Sequence, residues 1–173
     1  MTTKTIVSVP STVAAQDAPG RYDDCNPWPY RNAVYIGRFQ PFHNGHLKML
    51  KLALKQAENV LVVLGSARAS RTIRNPWSTA ERAEMIRLCF DNYDRDRILF
   101  SDVRDYLYND ASWYVEVQEK ARQLLPAGNT CLVGHLKDHT SQYLKGFPQW
   151  ELLTGAGVDI LDATTIRDLF FRN

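Results

Sequence analysis

The chemistry that this sequence could perform is concentrated in the segment YIGRFQPFHNGH, residues 35–46. An apolar run ends at Gly37, Arg38 follows it, and His43 and His46 stand three residues apart just before a helical pattern begins. A loop that enters a helix presents unpaired backbone N–H groups, and the helix dipole adds partial positive charge there. Histidines three apart at a helix start share one face, and both can donate to phosphate oxygens. The segment therefore predicts a site for a phosphate-bearing ligand.

Two other interpretations of this histidine pair are open. Both residues could be partly buried polar side chains with a structural role only. A zinc site would need three or four ligands, and only His135 and His139 could join the pair, from another loop. The sequence has no Cys or Glu at ligand spacing here, whereas Gly37, Arg38 and Pro41 cluster with the pair. That clustering favours the phosphate site.

Apolar runs of strand length alternate with helical patterns along the chain. Strands are predicted at 33–37, 59–66, 97–103 and 130–134, short extended pieces at 149–153 and 157–162, and helices at 47–57, 78–90, 111–125 and 163–171. The second helix starts with a capping box formed by Ser78 and Glu81. This alternation predicts an α/β fold, a doubly wound Rossmann-like parallel sheet with helices on both faces. Ligands of such folds bind beyond the carboxyl ends of the strands, where the motif residues lie.

The chain of 173 residues suits one domain. Residues 1–30 are rich in Ser, Thr, Ala, Pro and Asp without a sustained period, so we expect a flexible N-terminal arm followed by a domain over 31–173. A signal-peptide pattern is missing, which makes the cytoplasm the expected location. Of the three cysteines, Cys25 lies in the arm, and Cys89 and Cys131 are expected in the core of a protein from a reducing compartment.

The charge balance gives no indication of a nucleic-acid or membrane partner. Lys+Arg number 21 and Asp+Glu 19, so net charge alone does not indicate a nucleic-acid or membrane surface. A membrane helix needs about 20 apolar residues in a row, and no apolar run of the sequence approaches that length. We therefore expect neither nucleic acid nor membrane as a partner.

Longer motifs resemble one enzyme family. HNGH is similar to the HxGH signature of the nucleotidylyltransferase superfamily, and GRFQPFHNGH resembles the archaeal-type nicotinamide mononucleotide (NMN) adenylyltransferases, which also form the N-terminal half of Nudix-fused proteins. GSARASRTIRNPWSTAERAEMI, DYLYNDASWYVEVQ, GHLKDHTSQYLKGFPQW and DATTIRDLF are similar to further segments of that family, in the same order. The resemblance covers about residues 33–173. We expect a separated or truncated domain, because family members continue further and no Nudix signature is found.

The resemblance implies transfer of AMP from ATP to the phosphate of NMN, giving NAD and pyrophosphate, with Mg²⁺ bound together with ATP. ATP and NMN would be the small-molecule partners, and we expect a homo-oligomer. By resemblance, the catalytic residues are His43, His46 and Arg167. The ATP contacts would come from Gly37, Arg38, Phe39, His43, His46, Gly134, Thr164 and Arg167. The NMN contacts would come from Gly65, Ser66, Asn75, Asn109 and Trp113, and no residue is assigned as a metal ligand.

Several alternatives remain open at this point. Trp113 could stack on the nicotinamide ring or be a core aromatic of an amphipathic helix. The arginines of the second loop, and the polar residues after the fourth strand, could be site residues or solvated side chains; they are Arg68, Arg71, Arg74, His135, Lys137 and Asp138. The alternative functions are another HxGH nucleotidylyltransferase with a different acceptor, and a non-catalytic sensor that binds NAD or ATP.

Overall fold

The computed structural model describes residues 27–135, 139–155 and 163–172. Its strands are β1 (Tyr30–Gly37), β2 (Ala57–Ala67), β3 (Ile98–Arg104), β4 (Thr130–Val133) and β5 (Glu151–Leu153). Its helices are α1 (Asn44–Gln56), α2 (Thr79–Arg87), α3 (Asn92–Arg97), α4 (Asp110–Leu124) and α5 (Ala163–Phe171), with a 3-10 helix at His139–Gly146. The strands form one parallel sheet in the order β3-β2-β1-β4-β5. This is the predicted doubly wound α/β fold.

The central strand β1 separates two hydrophobic cores. Ala33 and Tyr35 pack with α1 and α2 on one face of the sheet, whereas Val34 and Ile36 pack with α4 and the 3-10 helix on the other. Successive side chains of a strand point to opposite faces, so a strand buried on both sides must be apolar throughout. The continuous apolar run that predicted β1 therefore reflects its central position, and helices cover both faces as expected.

Three features differ from the sequence prediction. The helix α3 was not predicted, because it has six residues, none of them buried, and so shows no apolar period. The 3-10 helix was not predicted either. Cys131 is buried as expected, but the prediction for Cys89 was wrong: this residue follows α2 and is exposed. The extended piece predicted at 157–162 lies outside the described residues.

The first strand begins at Tyr30, and both Tyr30 and the nearby Trp28 contact distant parts of the chain. The Tyr30 hydroxyl donates to Glu151 at 2.6 Å, and the Arg97 guanidinium lies 4.6 Å from the centre of the Trp28 ring. The division into an arm over 1–30 and a domain over 31–173 stays a prediction, because residues 1–26 lie outside the described part. Within that described part, none of the helices is long and apolar enough to cross a membrane.

The capping box at the start of α2 is confirmed. The Ser78 hydroxyl accepts from the Glu81 amide at 3.3 Å, and the Ser78 amide donates to the Glu81 carboxylate at 2.7 Å. Arg71 adds a third contact, donating to the same carboxylate at 2.9 Å. These hydrogen bonds, led by the one from the Ser78 backbone, lower the pKa of Glu81 from 4.5 to about 2. The loop after β2 is thereby fixed to the start of α2.

We predict that this carboxylate gives α2 an acid-sensitive anchor. A carboxylate whose pKa is lowered in the folded state stabilises the protein above its ordinary pKa, and this stabilisation is lost as the pH falls. The loss should begin below pH 4.5 and be complete near pH 2. Glu81→Gln should therefore lower the urea midpoint at neutral pH and flatten its fall in that acid range. Glu84→Gln on the same helix is the control, and an equal effect of both substitutions would contradict the prediction.

Candidate active site

Two turns at the carboxyl edge of the sheet form the base of the site. β1 ends at Gly37, beside Leu64 of β2. A residue with a left-handed backbone conformation stands close to the end of each strand, two residues after β1 and one residue before the end of β2. Phe39 and Ser66 both have φ of 51°, a conformation that is uncommon for residues other than glycine. The register between β2 and β3 also shifts between Leu64 and Ala67. The backbone is therefore sharply turned at two neighbouring places, where ligands of such folds bind.

A cavity of about 590 Å³ opens between these two turns and the start of α4. Its lining includes residues predicted for both substrates and three further polar or acidic groups: Gly37, Arg38, Gly65, Trp113, Asp105, Asp110 and Tyr143. The two carboxylates, Asp105 and Asp110, were not singled out in the sequence. Ser66, predicted beside Gly65, is buried and donates from its hydroxyl to Asp105 at 3.1 Å.

The histidine pair lies at the amino end of α1, as its spacing predicts. His43 is the N-cap, and its ring nitrogen Nδ1 accepts from the His46 amide at 3.4 Å. The two imidazoles stack with their centres 3.7 Å apart. Phe39 is 1% exposed and packs edge-on against His46, with ring centres 4.9 Å apart. Phe39 thus packs against the His46 imidazole and helps to fix its position. A Cβ atom added at Gly37 would lie only 2.8 Å from the Phe39 ring, so this position has no room for a side chain.

Positive charge gathers around the loop that follows β1. Arg38 is exposed, and its pKa is lowered first by partial burial of its charge and then by the nearby cations Arg74 and Arg167, with Asp105 opposing. Three guanidinium groups thus lie within electrostatic range of one carboxylate, so positive charge is in excess among these four groups. Such a cluster beside a helix amino end is suited to a polyanion.

Arg167 joins the last helix to this loop. It is 5% exposed, and its guanidinium donates to the Gln40 carbonyl and, at 3.1 Å, to the Thr164 hydroxyl. Thr164 stands in the first turn of α5, as the spacing to Arg167 predicts. The residues predicted to bind phosphate thus come from the loop after β1, from the start of α1 and from α5. One terminal nitrogen of Arg167 is already bound to the Gln40 carbonyl of that loop.

The cavity wall formed by α4 and the 3-10 helix is aromatic. Trp113 lies edge-on to Tyr143, with ring centres 5.7 Å apart, and packs against Phe147 at 5.9 Å. The Tyr143 hydroxyl donates to the Ile36 carbonyl at 3.2 Å, and burial raises its pKa to about 12. Trp113 is half-buried, so it is both a packing residue and an exposed wall of the cavity. The two interpretations of Trp113 are compatible.

Of the predicted site residues, only Gly37, Arg38, Gly65 and Trp113 line the cavity, and all the others lie outside its lining. Asn109 caps α4, accepting from the Ser112 amide at 3.1 Å. Asn75 pairs through its backbone with Thr72, and Gly134 is buried with its Cα facing Leu144. Their roles as ligand contacts stay predictions.

The remaining cations have separate placements. Arg71 binds Glu81, and Arg68 is exposed with φ of 64°. His135 is half-buried after β4, while Lys137 and Asp138 lie outside the described residues. Among the described side chains, no three His, Cys, Asp or Glu residues gather into a group that could hold a metal ion.

Among the described residues, three buried polar residues escaped sequence analysis, and two of them, Gln40 and Arg82, contact the loops around the site. The Gln40 side chain makes a pair of hydrogen bonds to the Trp77 backbone, at 2.7 and 3.1 Å. Arg82 is 1% exposed and donates to the carbonyls of Arg38 and Gly65 at 2.6 and 2.8 Å. Burial is the main cause that lowers the pKa of Arg82, and Asp102 opposes it. For Arg82, the sequence offered only the Glu81-Arg82 pair after the capping Ser78. That pattern indicates the start of a helix, and it does not predict that Arg82 binds two distant turns.

The sheet, the cationic helix start and the aromatic wall define a Rossmann-like nucleotide-binding protein. The chain belongs to the cytidylyltransferase-like family, whose model matches residues 34–135, and within it to the nicotinamide-nucleotide adenylyltransferases. It is 38% identical over 140 residues to the nicotinamide/nicotinic acid mononucleotide adenylyltransferase of Acinetobacter baylyi, covering 80% of this chain and 74% of the relative. It is 33% identical over 142 residues to the nicotinamide-nucleotide adenylyltransferase of Pyrococcus furiosus, covering 79% and 71%.

A solved structure with the same fold is the bifunctional NMN adenylyltransferase/ADP ribose pyrophosphatase of Francisella tularensis. It matches with a TM-score of 0.74 and 31% identity over 83% of this chain and 42% of that protein. The Francisella protein has also been solved in complex with AMP and a manganese ion. The present chain thus spans less than half of the bifunctional protein. The resemblance to archaeal-type and Nudix-fused members is confirmed.

Proposed function

We propose that the protein is an NMN adenylyltransferase, which transfers AMP from ATP to the phosphate of NMN and releases pyrophosphate. One observation carries the proposal: Arg38 of the cationic turn and Trp113 line the same cavity, and the histidine pair lies at the amino end of α1, the helix that follows this turn. The relatives are named as adenylyltransferases of nicotinamide or nicotinic acid mononucleotides. Their names support the assignment of the cationic side of the site to ATP and of the tryptophan side to NMN.

In this reaction an oxygen of the NMN phosphate attacks the α-phosphorus of ATP. A new P–O bond forms, the bond from the α-phosphorus to the bridging oxygen breaks, and pyrophosphate leaves with the electron pair. The protein contributes position and charge, because phosphoryl transfer needs little covalent chemistry from side chains. His43 and His46 donate to phosphate oxygens as negative charge develops, and Arg38 and Arg167 neutralise the triphosphate. No covalent intermediate on the protein is expected.

The acceptor is held by the aromatic side of the cavity. The nicotinamide ring of NMN is cationic, and a cation is attracted to the face of a tryptophan. Trp113 provides that face. Gly65 lines the same cavity and lies beside the Arg38 side chain, so the two substrates would meet near this turn. The homo-oligomer stays a prediction that size-exclusion chromatography with light scattering would test.

The metal is proposed to be Mg²⁺, which neutralises phosphate charge when it is bound with ATP. Magnesium keeps several waters and often binds through substrate phosphates with only one or two carboxylates. The described residues fit that arrangement, since Asp105 and Asp110 line the cavity but no group of three ligands exists among them.

We predict that Mg²⁺ binds tightly only in the presence of ATP. Calorimetric titration of Mg²⁺ into the protein should give weak or undetectable binding alone and clear binding with a non-hydrolysable ATP analogue. Mutation of both carboxylates to amides is the control for direct ligation. Tight binding without nucleotide would show that the protein itself holds the metal.

Product analysis with a panel of donors and acceptors tests the proposed function. ATP with NMN should yield NAD, whereas CTP, GTP or phosphopantetheine should give little product. A different acceptor used efficiently would favour another nucleotidylyltransferase. Binding of NAD and ATP with no turnover of any pair would favour the sensor.

A further inference from the structure

Arg82 connects the two turns that border the cavity. It lies in the first half of α2, is almost wholly buried, and its terminal nitrogen Nη1 donates to the carbonyls of Arg38 and Gly65. Its Nε donates to the Ser78 carbonyl at 3.2 Å, which fixes the guanidinium to the start of its own helix. A single nitrogen therefore fixes one turn relative to the other.

Both bound carbonyls occupy the same place in their turns. Arg38 precedes Phe39 and Gly65 precedes Ser66, and these following residues share the left-handed φ of 51°. A left-handed conformation is unfavourable for a residue other than glycine, so surrounding contacts must hold it. A charged donor that binds the preceding carbonyl fixes the peptide plane and so supports each turn.

We infer that Arg82 is a positioning residue that sets the distance between the ATP half and the NMN half of the site. This inference rests on the proposed function, in which the turn at Arg38 serves ATP and the turn at Gly65 serves NMN. Each turn can bind its own substrate without the other. In-line attack, however, requires that the two phosphates meet at a defined distance. The pairing of β1 with β2 ends at Gly37 and Leu64, and Arg82 links the two turns directly beyond that point.

Arg97 offers a matched control. Its guanidinium also donates to three backbone carbonyls, those of Leu54, Ala57 and Glu58, at 2.6 to 3.0 Å. These contacts lie at the end of α1 and the amino end of β2, opposite the cavity. Arg97→Lys should therefore lower stability in the same manner as Arg82→Lys without separating the two halves of the site.

The test compares ligands that occupy one half with the ligand that spans both. In Arg82→Lys, kcat should fall about 10²-fold, because small misplacement of reacting groups has effects of that size. Affinity for NAD should fall roughly tenfold or more, while affinities for ATP and NMN measured separately stay within about twofold. Arg97→Lys should leave all four quantities near those of the parent while lowering the melting temperature.

Two results would overturn the inference. One is a folded Arg82→Lys variant with a kcat near that of the parent. The other is a loss of NAD affinity no larger than the losses for ATP and NMN. If the lysine variant does not fold, Arg82→Gln is judged by the same comparison. Failure of the parent protein itself to form NAD would instead contradict the proposed function, so the two failures are distinguishable.

Discussion

His46→Ala is expected to lower kcat about 10²-fold or more, the usual loss when one donor to a developing negative charge is removed. The affinity for NMN should change little, because the imidazole lies at the start of α1 on the phosphate side of the site. His43 is a less clean target, since its ring also caps the helix and its removal would weaken α1. The measurement is steady-state kinetics with each substrate varied in turn.

Lys51→Ala is a suitable control for this experiment. Lys51 is exposed on the same helix, two turns away from the cap, and its removal alters charge without touching the loop. His46→Asn should recover part of the rate, because an amide still donates a hydrogen bond. Turnover of His46→Ala close to that of the parent would contradict the assignment of the histidine pair to the reacting phosphates.

Trp113→Ala should raise the KM for NMN by roughly 2- to 30-fold, the range expected when an aromatic face that binds a cation is lost. The KM for ATP should remain nearly unchanged. Because Trp113 also packs against Tyr143 and Phe147, the alanine variant should be less stable as well. Trp113→Phe separates the two effects, since it retains an aromatic face and much of the packing.

Trp150 provides the matched control. It stacks on Phe147 with ring centres 5.0 Å apart, in the same aromatic cluster but away from the cavity lining. Trp150→Ala should lower the melting temperature without raising the KM for NMN. A rise in the KM for ATP in Trp113→Ala, with no change for NMN, would place the tryptophan on the adenine side or in the core alone.

Features that depend on neighbours in the chain could be predicted from the sequence. The capping box, the histidine pair at the helix start and the alternation of strands and helices all involve residues a few positions apart. The parallel sheet followed from the apolar runs, because strands buried on both faces have to be apolar. The expected position of the site at the carboxyl edge followed from the predicted parallel sheet, because ligands of such folds bind there.

The contacts that hold the loop after β1 could not be predicted. Arg167 reaches Gln40 across 127 positions, and Arg82 reaches Arg38 across 44. Which carbonyl a buried arginine will bind depends on the packing of helices against the sheet, and no local pattern encodes it. Asn109 was ambiguous for a different reason. An asparagine just before a helix can cap that helix or bind a ligand, and the sequence does not distinguish these two roles.

The most direct measurement follows the α-phosphate of ATP. With ATP radiolabelled at that position, NMN and Mg²⁺, the label should appear in NAD, one pyrophosphate should be released for each NAD formed, and no label should remain on the protein. The His46→Ala variant run in parallel should show the same products at a much lower rate. Absence of labelled NAD from the parent protein, or transfer of the label through a protein-bound intermediate, would contradict direct adenylyl transfer to NMN.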